Sequence, residues 1–256
     1  MCKKYLPIGV FDSGVGGITV LKACADILPY ENFVYYGDTK NSPYGNLDDQ
    51  KITRLTFDAV DRLISRSVKA VVIACNTATA AAINALRNKH DIEIIGIEPA
   101  IKPACIMTND KILVMLTKAA ARQTKLQSLI KQCGPQKVII CPLSDLARNI
   151  EQNIGRFGEL EEYINKILSP YKDYDIKAVV LGCTHYIFVK NIIAKVFPQA
   201  VLYDGNAGVA RYLKNMLINK GLLNDQTQKG NIEFFSSDNK YQSIYQNLWS
   251  KYINIF

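Results

Sequence analysis

The sequence predicts an α/β protein made of parallel sheets, in two similar units that face each other. Three observations carry this. Short β-branched, apolar runs alternate with helical-looking stretches over most of the 256 residues, as in parallel strands joined by crossover helices. Some runs, such as Val71-Val72-Ile73, are apolar without a break, which suits strands covered on both faces. One segment also recurs. Val71-Val72-Ile73-Ala74-Cys75-Asn76-Thr77 and Val179-Val180-Leu181-Gly182-Cys183-Thr184-His185 each read as a buried strand, a small residue, a cysteine and a residue able to cap a helix.

The first strand is expected at residues 7–11, running into Asp12-Ser13-Gly14-Val15-Gly16-Gly17. A helix over 17–28 follows, its apolar residues three and four apart. Then come a strand at 32–36, a helix at 48–65, a strand at 70–74, a helix at 77–88 and a strand at 92–97. Four more strands are read at 111–116, 136–141, 178–181 and 200–203. The run Ile112-Leu113-Val114-Met115-Leu116-Thr117 faintly repeats Ile8-Gly9-Val10-Phe11-Asp12-Ser13. That repeat alone is no more than the likeness of any two parallel strands. The cysteines, 108 positions apart, make the stronger case.

Hydrophobic residues are 48% of the chain and charged residues 21%, enough to fill a sizeable core. No apolar run approaches the roughly 18 residues of a membrane span, and the run after Lys3-Lys4 is too short for a signal peptide. The chain is expected to stay in the cytoplasm, away from membranes. Seven cysteines in a reducing compartment argue against disulfides. Without C-x-x-C, and with two histidines, no metal site is expected. Cys24, Cys105, Cys133 and Cys141 are read as small core residues. The net charge of +8 comes from dispersed lysines, a solubility feature first and no nucleic-acid footprint.

Ligands of parallel sheets bind beyond the carboxyl ends of strands. Cys75 and Cys183 both fall there, at expected helix starts where unpaired N–H groups favour thiolate. Asn76 and Thr184 are read as the capping residues. Two thiols in mirrored settings suggest two acid/base groups on opposite sides of one carbon, able to invert a stereocentre. Ser13, Asn76, Thr77, Thr117 and Thr184 would supply donors to the carboxylate of a developing carbanion. The glycines after Asp12 fit G-x-G-x-x-G poorly, since position 19 is Thr. They are read as a tight turn aiming Asp12 and Ser13 into a cleft.

Phe11-Asp12-Ser13-Gly14-Val15-Gly16-Gly17, Tyr36-Gly37-Asp38, Pro43-Tyr44-Gly45, Ala74-Cys75-Asn76-Thr77-Ala78 and Leu181-Gly182-Cys183-Thr184-His185 together resemble the bacterial glutamate racemases, within the aspartate/glutamate racemase family. The resemblance covers residues 7–240. It implies two α/β domains across a cleft: residues 1–98 with 206–256 on the Cys75 side, and 99–205 on the Cys183 side. It implies interconversion of L- and D-glutamate without a cofactor, supplying D-glutamate for peptidoglycan, with glutamate as the small-molecule partner; a homodimer is left open. Cys75 and Cys183 are then the catalytic pair, with Asp12 assisting the first and His185 and Glu151 the second. Asn76, Thr77 and Thr184 resemble holders of the substrate carboxylate, and Thr117 keeps the first threonine of the family's G-T-x-x-T element as a further substrate-binding residue. Ser13 lies near the amino group, and Pro43-Tyr44-Gly45 grips the side-chain carboxylate. Asp12 and His185 also count among the substrate-binding residues.

Two departures stand out. The family's G-T-x-x-T element reads Leu116-Thr117-Lys118-Ala119-Ala120, and Asp204-Gly205-Asn206 replaces D-S-G. The alternatives are a racemase for aspartate or another amino acid, and a non-catalytic nucleic-acid-binding protein.

Overall fold

The computed structural model describes residues 2–251. Strand β1 (Ile8–Asp12), helix α1 (Gly17–Ile27), β2 (Phe33–Gly37), α2 (Asp49–Ile64), β3 (Ala70–Ile73), α3 (Asn76–Lys89) and β4 (Glu93–Gly96) follow in that order. Helix α4 (Ile101–Met107) leads into β5 (Lys111–Thr117), α5 (Lys118–Ala121), α6 (Thr124–Cys133), β6 (Val138–Leu143), α7 (Leu146–Gln152) and α8 (Glu161–Leu168). Strand β7 (Ile176–Leu181), α9 (Lys190–Val196), β8 (Val201–Tyr203), α10 (Asn206–Asn219), β9 (Ile232–Ser236) and α11 (Lys240–Lys251) complete the chain.

The strands form two sheets, ordered β4-β3-β1-β2-β9 and β6-β5-β7-β8. Every pairing is parallel, so the predicted α/β fold with two parallel-sheet units is what the chain adopts. The register puts Asp12 beside Gly37 and Ile73 beside Phe11. The ends of β1 and β3 therefore lie side by side, which brings Asp12 and Ser13 to Cys75. Helix α2 shows how the crossovers are held. Asp48 caps it by accepting the Lys51 N–H, and Ile52, Thr56, Ala59, Val60 and Leu63 form its buried face. One continuous core runs through both units, joining Val10, Val72 and α1 to Leu113, Met115, Val179 and α10.

The structure departs from the sequence reading at several points. Strand β9 was not expected; it pairs with β2 and returns the chain to the first sheet. Strand β6 runs two residues past its expected end and includes Pro142, which an edge strand tolerates because one side needs no ladder donor. Strand β7 starts earlier, at Ile176, across a register shift opposite Lys111 and Ile112. A 3₁₀ turn, Thr184–Val189, follows Cys183 and precedes α9, with no side-chain cap. Asn76 is not a cap either: Cys75 holds that position itself. The cysteine reading is corrected for one pair, since Cys105 on α4 and Cys133 on α6 form a disulfide. Cys24 and Cys141 are fully buried free thiols. Among the described residues, no helix is long and apolar enough to cross a membrane.

Candidate active site

Cys75 lies two residues past the end of β3 and caps α3, its Sγ accepting the Ala78 N–H at 3.5 Å. The Ser13 hydroxyl stands 3.5 Å from the same sulfur. Behind them lies Asp12, fully buried. Its Oδ1 accepts the Gly14 N–H at 2.8 Å, and its Oδ2 accepts the Thr184 hydroxyl at 3.1 Å. Burial pushes the Asp12 carboxyl above the usual carboxylate range, with His185, Gly14 and Thr184 pulling against it. Burial likewise pushes the Cys75 thiol up to about 12, and the charge of Asp12 adds to it. The expected thiolate-favouring helix start is thus corrected: two donors do not outweigh loss of water and a neighbouring carboxylate.

Cys183 is held differently. Its Sγ is 3.7 Å from His185 Nδ1, and His185 Nε2 is 2.8 Å from Glu151 Oε1. The Ser42 hydroxyl also donates to Glu151 Oε1 at 2.8 Å, and the Val15 N–H reaches it at 3.4 Å. Burial works against charge on His185, but the hydrogen bonds to Cys183 and Glu151 prevail and hold the imidazole well above its ordinary range. A free histidine titrates near neutrality; this one is displaced upward.

The two half-sites meet in one small cavity. Ser13, Pro43, Tyr44, Gly45, Cys75, Asn76, Thr77, Thr117, Cys183, Thr184 and His185 line it, with Ala147. Its volume is about 10 Å³, room for roughly one water; a substrate needs these walls to part. Asp12 and Glu151 do not line it, and stand behind its walls. Across the cavity the Thr77 and Thr117 hydroxyls lie 2.9 Å apart, joining the two units, while Thr117 also accepts the Ala120 N–H at 3.1 Å. Asn76 Oδ1 is buried without a hydrogen-bond partner. Tyr44 packs on Phe11 and donates its hydroxyl to Asp38 at 2.7 Å, so this loop presents its backbone rather than the phenol.

The glycines after Asp12 have a different use from the one expected. None has positive φ among the described residues, so a left-handed turn is not what requires them. A Cβ on Gly14 would overlap Glu151 Oε1 and stand 2.7 Å from Ser42 Oγ; one on Gly16 would overlap the Thr184 hydroxyl and stand 2.7 Å from His185 Nδ1. They let the second unit close on the first. Sequence reasoning missed Ser42, although its hydroxyl adjoins the Pro43-Tyr44-Gly45 loop, and missed Ala147, which carries no chemical signal. Among the described residues no group of three or more His, Cys, Asp or Glu is placed to hold a metal.

A parallel-sheet unit stands on each side, each delivering a thiol to one cavity, and the relatives of this chain make it an isomerase of the amino-acid racemase class. The chain belongs to the Asp/Glu/Hydantoin racemase family, which it matches over residues 33–213. It is 45% identical to the glutamate racemase of Clostridium novyi over 244 residues, covering 93% of this chain and 94% of that one. Among solved structures it resembles a glutamate racemase isoform from Bacillus anthracis, with a TM-score of 0.86, 29% identity and coverage of 98% and 95%. The glutamate racemase of Francisella tularensis in complex with D-glutamate matches with a TM-score of 0.82, 29% identity and coverage of 97% and 95%.

Proposed function

We propose that the protein interconverts L- and D-glutamate by two-base proton transfer between Cys75 and Cys183, without a cofactor. The observation that carries this is the meeting of two thiols, one from each sheet, in a single cavity. Residues 1–98 with 206–256 would form the Cys75 domain and 99–205 the Cys183 domain, residue 1 and residues 252–256 of that division lying outside the described residues. D-Glutamate made in the cytoplasm would feed peptidoglycan synthesis.

The unequal settings of the thiols give each a resting role. A Cys75 thiol with a pKa of about 12 keeps its proton at neutral pH and is ready to give it. A protonated His185, backed by Glu151, sets positive charge beside the Cys183 sulfur, the partner a thiolate base needs. In this state Cys183 takes the α-proton of L-glutamate and Cys75 protonates the other face, forming D-glutamate. The reverse reaction begins from the opposite proton distribution. Asn76, Thr77 and Thr184 would donate to the α-carboxylate, whose charge spreads as the carbanion forms. Ser13 and the free Asn76 Oδ1 face the ammonium group, and the Pro43-Tyr44-Gly45 backbone, with Thr117, receives the side-chain carboxylate.

Circular dichroism of L-glutamate incubated with the purified protein tests this directly. Ellipticity should decay to zero as the racemate forms, while L-aspartate keeps its signal. A persistent L-glutamate signal, or decay with L-aspartate alone, would overturn the assignment.

A further inference from the structure

We propose that Tyr35, on β2, is a positioning residue that aims the Gly14–Val15 peptide at Glu151 and so supports the Cys183 half of the reaction. The inference rests on the two-thiol reading above. Tyr35 is fully buried, and its hydroxyl donates to the Gly14 carbonyl at 2.7 Å. The N–H at the other end of that peptide plane, on Val15, points to Glu151 Oε1 at 3.4 Å. Glu151 holds His185 at 2.8 Å, and His185 lies 3.7 Å from the Cys183 sulfur. A run of hydrogen bonds thus leads from a phenol in the first sheet to a thiol of the second unit. Donation to a peptide carbonyl polarises the N–H of the same peptide, and it fixes the plane's tilt.

The phenol is itself held in place. Tyr245 of α11 meets its ring edge-on, with centroids 5.1 Å apart, and Phe234 of β9 packs on it at 6.0 Å. The Tyr245 hydroxyl is tied to Ser236 at 3.3 Å and to Thr39 at 3.4 Å. Burial keeps the Tyr35 proton on at any working pH, so it serves as a donor only. The returning C-terminal segment therefore braces the loop that carries Asp12, Ser13 and Gly14.

The test is Tyr35→Phe, which keeps the ring packing and removes the donor. kcat/KM should fall about fivefold to tenfold, the worth of one buried neutral hydrogen bond. Because the racemisation equilibrium constant is one, that fall must be equal in both directions and cannot show which thiol is affected. Primary isotope effects can. If the Cys183 steps become slower, the effect with L-[2-²H]glutamate rises, since its deprotonation limits the rate. The effect with D-[2-²H]glutamate shrinks, since reprotonation by Cys183 then limits.

His185→Asn is the reference and should show the same divergence more strongly. Divergence in His185→Asn but not in Tyr35→Phe overturns the role of Tyr35 alone; divergence in neither overturns the two-thiol reading beneath it. An unchanged rate in Tyr35→Phe, or an equal fall with parallel isotope effects and a lowered melting temperature, makes the residue purely structural. Tyr245→Phe leaves the Tyr35 donor in place and should show a smaller divergence of the same sign.

Discussion

Replacing Gly14 by alanine should disconnect Glu151 from His185 without disturbing the fold. The added methyl would overlap Glu151 Oε1, the atom that His185 Nε2 meets at 2.8 Å. Backbone strain does not enter, because Gly14 does not have positive φ. The clash falls on the far end of a long side chain, so the carboxylate swings aside and the pair opens. Both partners are sheltered, with side-chain exposures of 2% for His185 and 10% for Glu151, so solvent screening discounts the interaction little. A hydrogen bond to a charged group is worth about 2 kcal/mol, which in kcat/KM is on the order of thirtyfold. The same loss should lower the pKa of His185, which Glu151 helps to raise. The chain has two histidines, so His90→Gln leaves one imidazole proton resonance to follow by NMR. Wild type should titrate well above the ordinary histidine range and Gly14→Ala lower. Activity within about twofold of wild type and an unmoved titration would together show that Glu151 does not act through His185.

Two further outcomes follow from the buried groups. Burial raises Cys24 and Cys75 to about 12 and Cys141 to about 11, against about 8.5 for a free thiol. Their contribution to stability is whole below pH 8.5 and is lost as pH rises toward the folded values, because the unfolded chain then releases protons the folded chain keeps. For three protons the slope is on the order of 4 kcal/mol per pH unit. Urea titrations between pH 8.5 and 10 should show this, and Cys24→Ala should shrink the slope by about a third; a flat profile would contradict it. Ala120→Thr would restore a hydroxyl beside Thr117, where a flanking cavity of about 150 Å³ can take it. It should change KM for glutamate more than kcat, as a contact equal in ground and transition states does; a shift in kcat alone of about tenfold or more would exclude that role.

The strands could be read from the chain because unbroken apolar runs have few alternatives to a doubly covered strand. Strand β9 could not. Ile232-Glu233-Phe234-Phe235 is short, half-exposed and preceded by a polar stretch, and its strand character comes from β2, about two hundred residues away. The recurring cysteines pointed through local sequence to the candidate site, the cavity that both of them line. Glu151 has no motif of its own and came through the family resemblance, while Ser42 and Tyr35 act through contacts that no spacing encodes. The sign of the Cys75 shift was missed for a related reason. A helix start is a local feature, whereas burial and proximity to Asp12 arise only when β1 and β3 pair. The Cys105–Cys133 pair is a similar case: composition argues from compartment, but the packing of α4 on α6 decides which sulfurs meet.

The two thiols should separate cleanly when each is removed alone. Cys75 and Cys183 are 6% and 8% exposed, both on the cavity wall, so Cys→Ala removes one sulfur beside a cleft and costs less than truncating a large core residue. Both variants should remain folded by circular dichroism. Each should lose racemisation by about a hundredfold or more, the usual worth of a positioned acid or base. What remains should differ between them. In D₂O, Cys75→Ala retains Cys183 and His185, so it should exchange the α-proton of L-glutamate without inverting it. Cys183→Ala should exchange D-glutamate alone, and slowly at neutral pH, because a thiol with a pKa of about 12 is rarely a thiolate there. That exchange should quicken about tenfold per pH unit on the alkaline side, in proportion to the thiolate. Wild type should place deuterium mainly in the newly formed enantiomer, since the returning proton comes from the opposite, solvent-equilibrated sulfur. If Cys75→Ala exchanged both enantiomers equally, or if wild type labelled recovered substrate as fast as product, one base would be serving both faces. The mirrored cysteines would then have to be given another purpose.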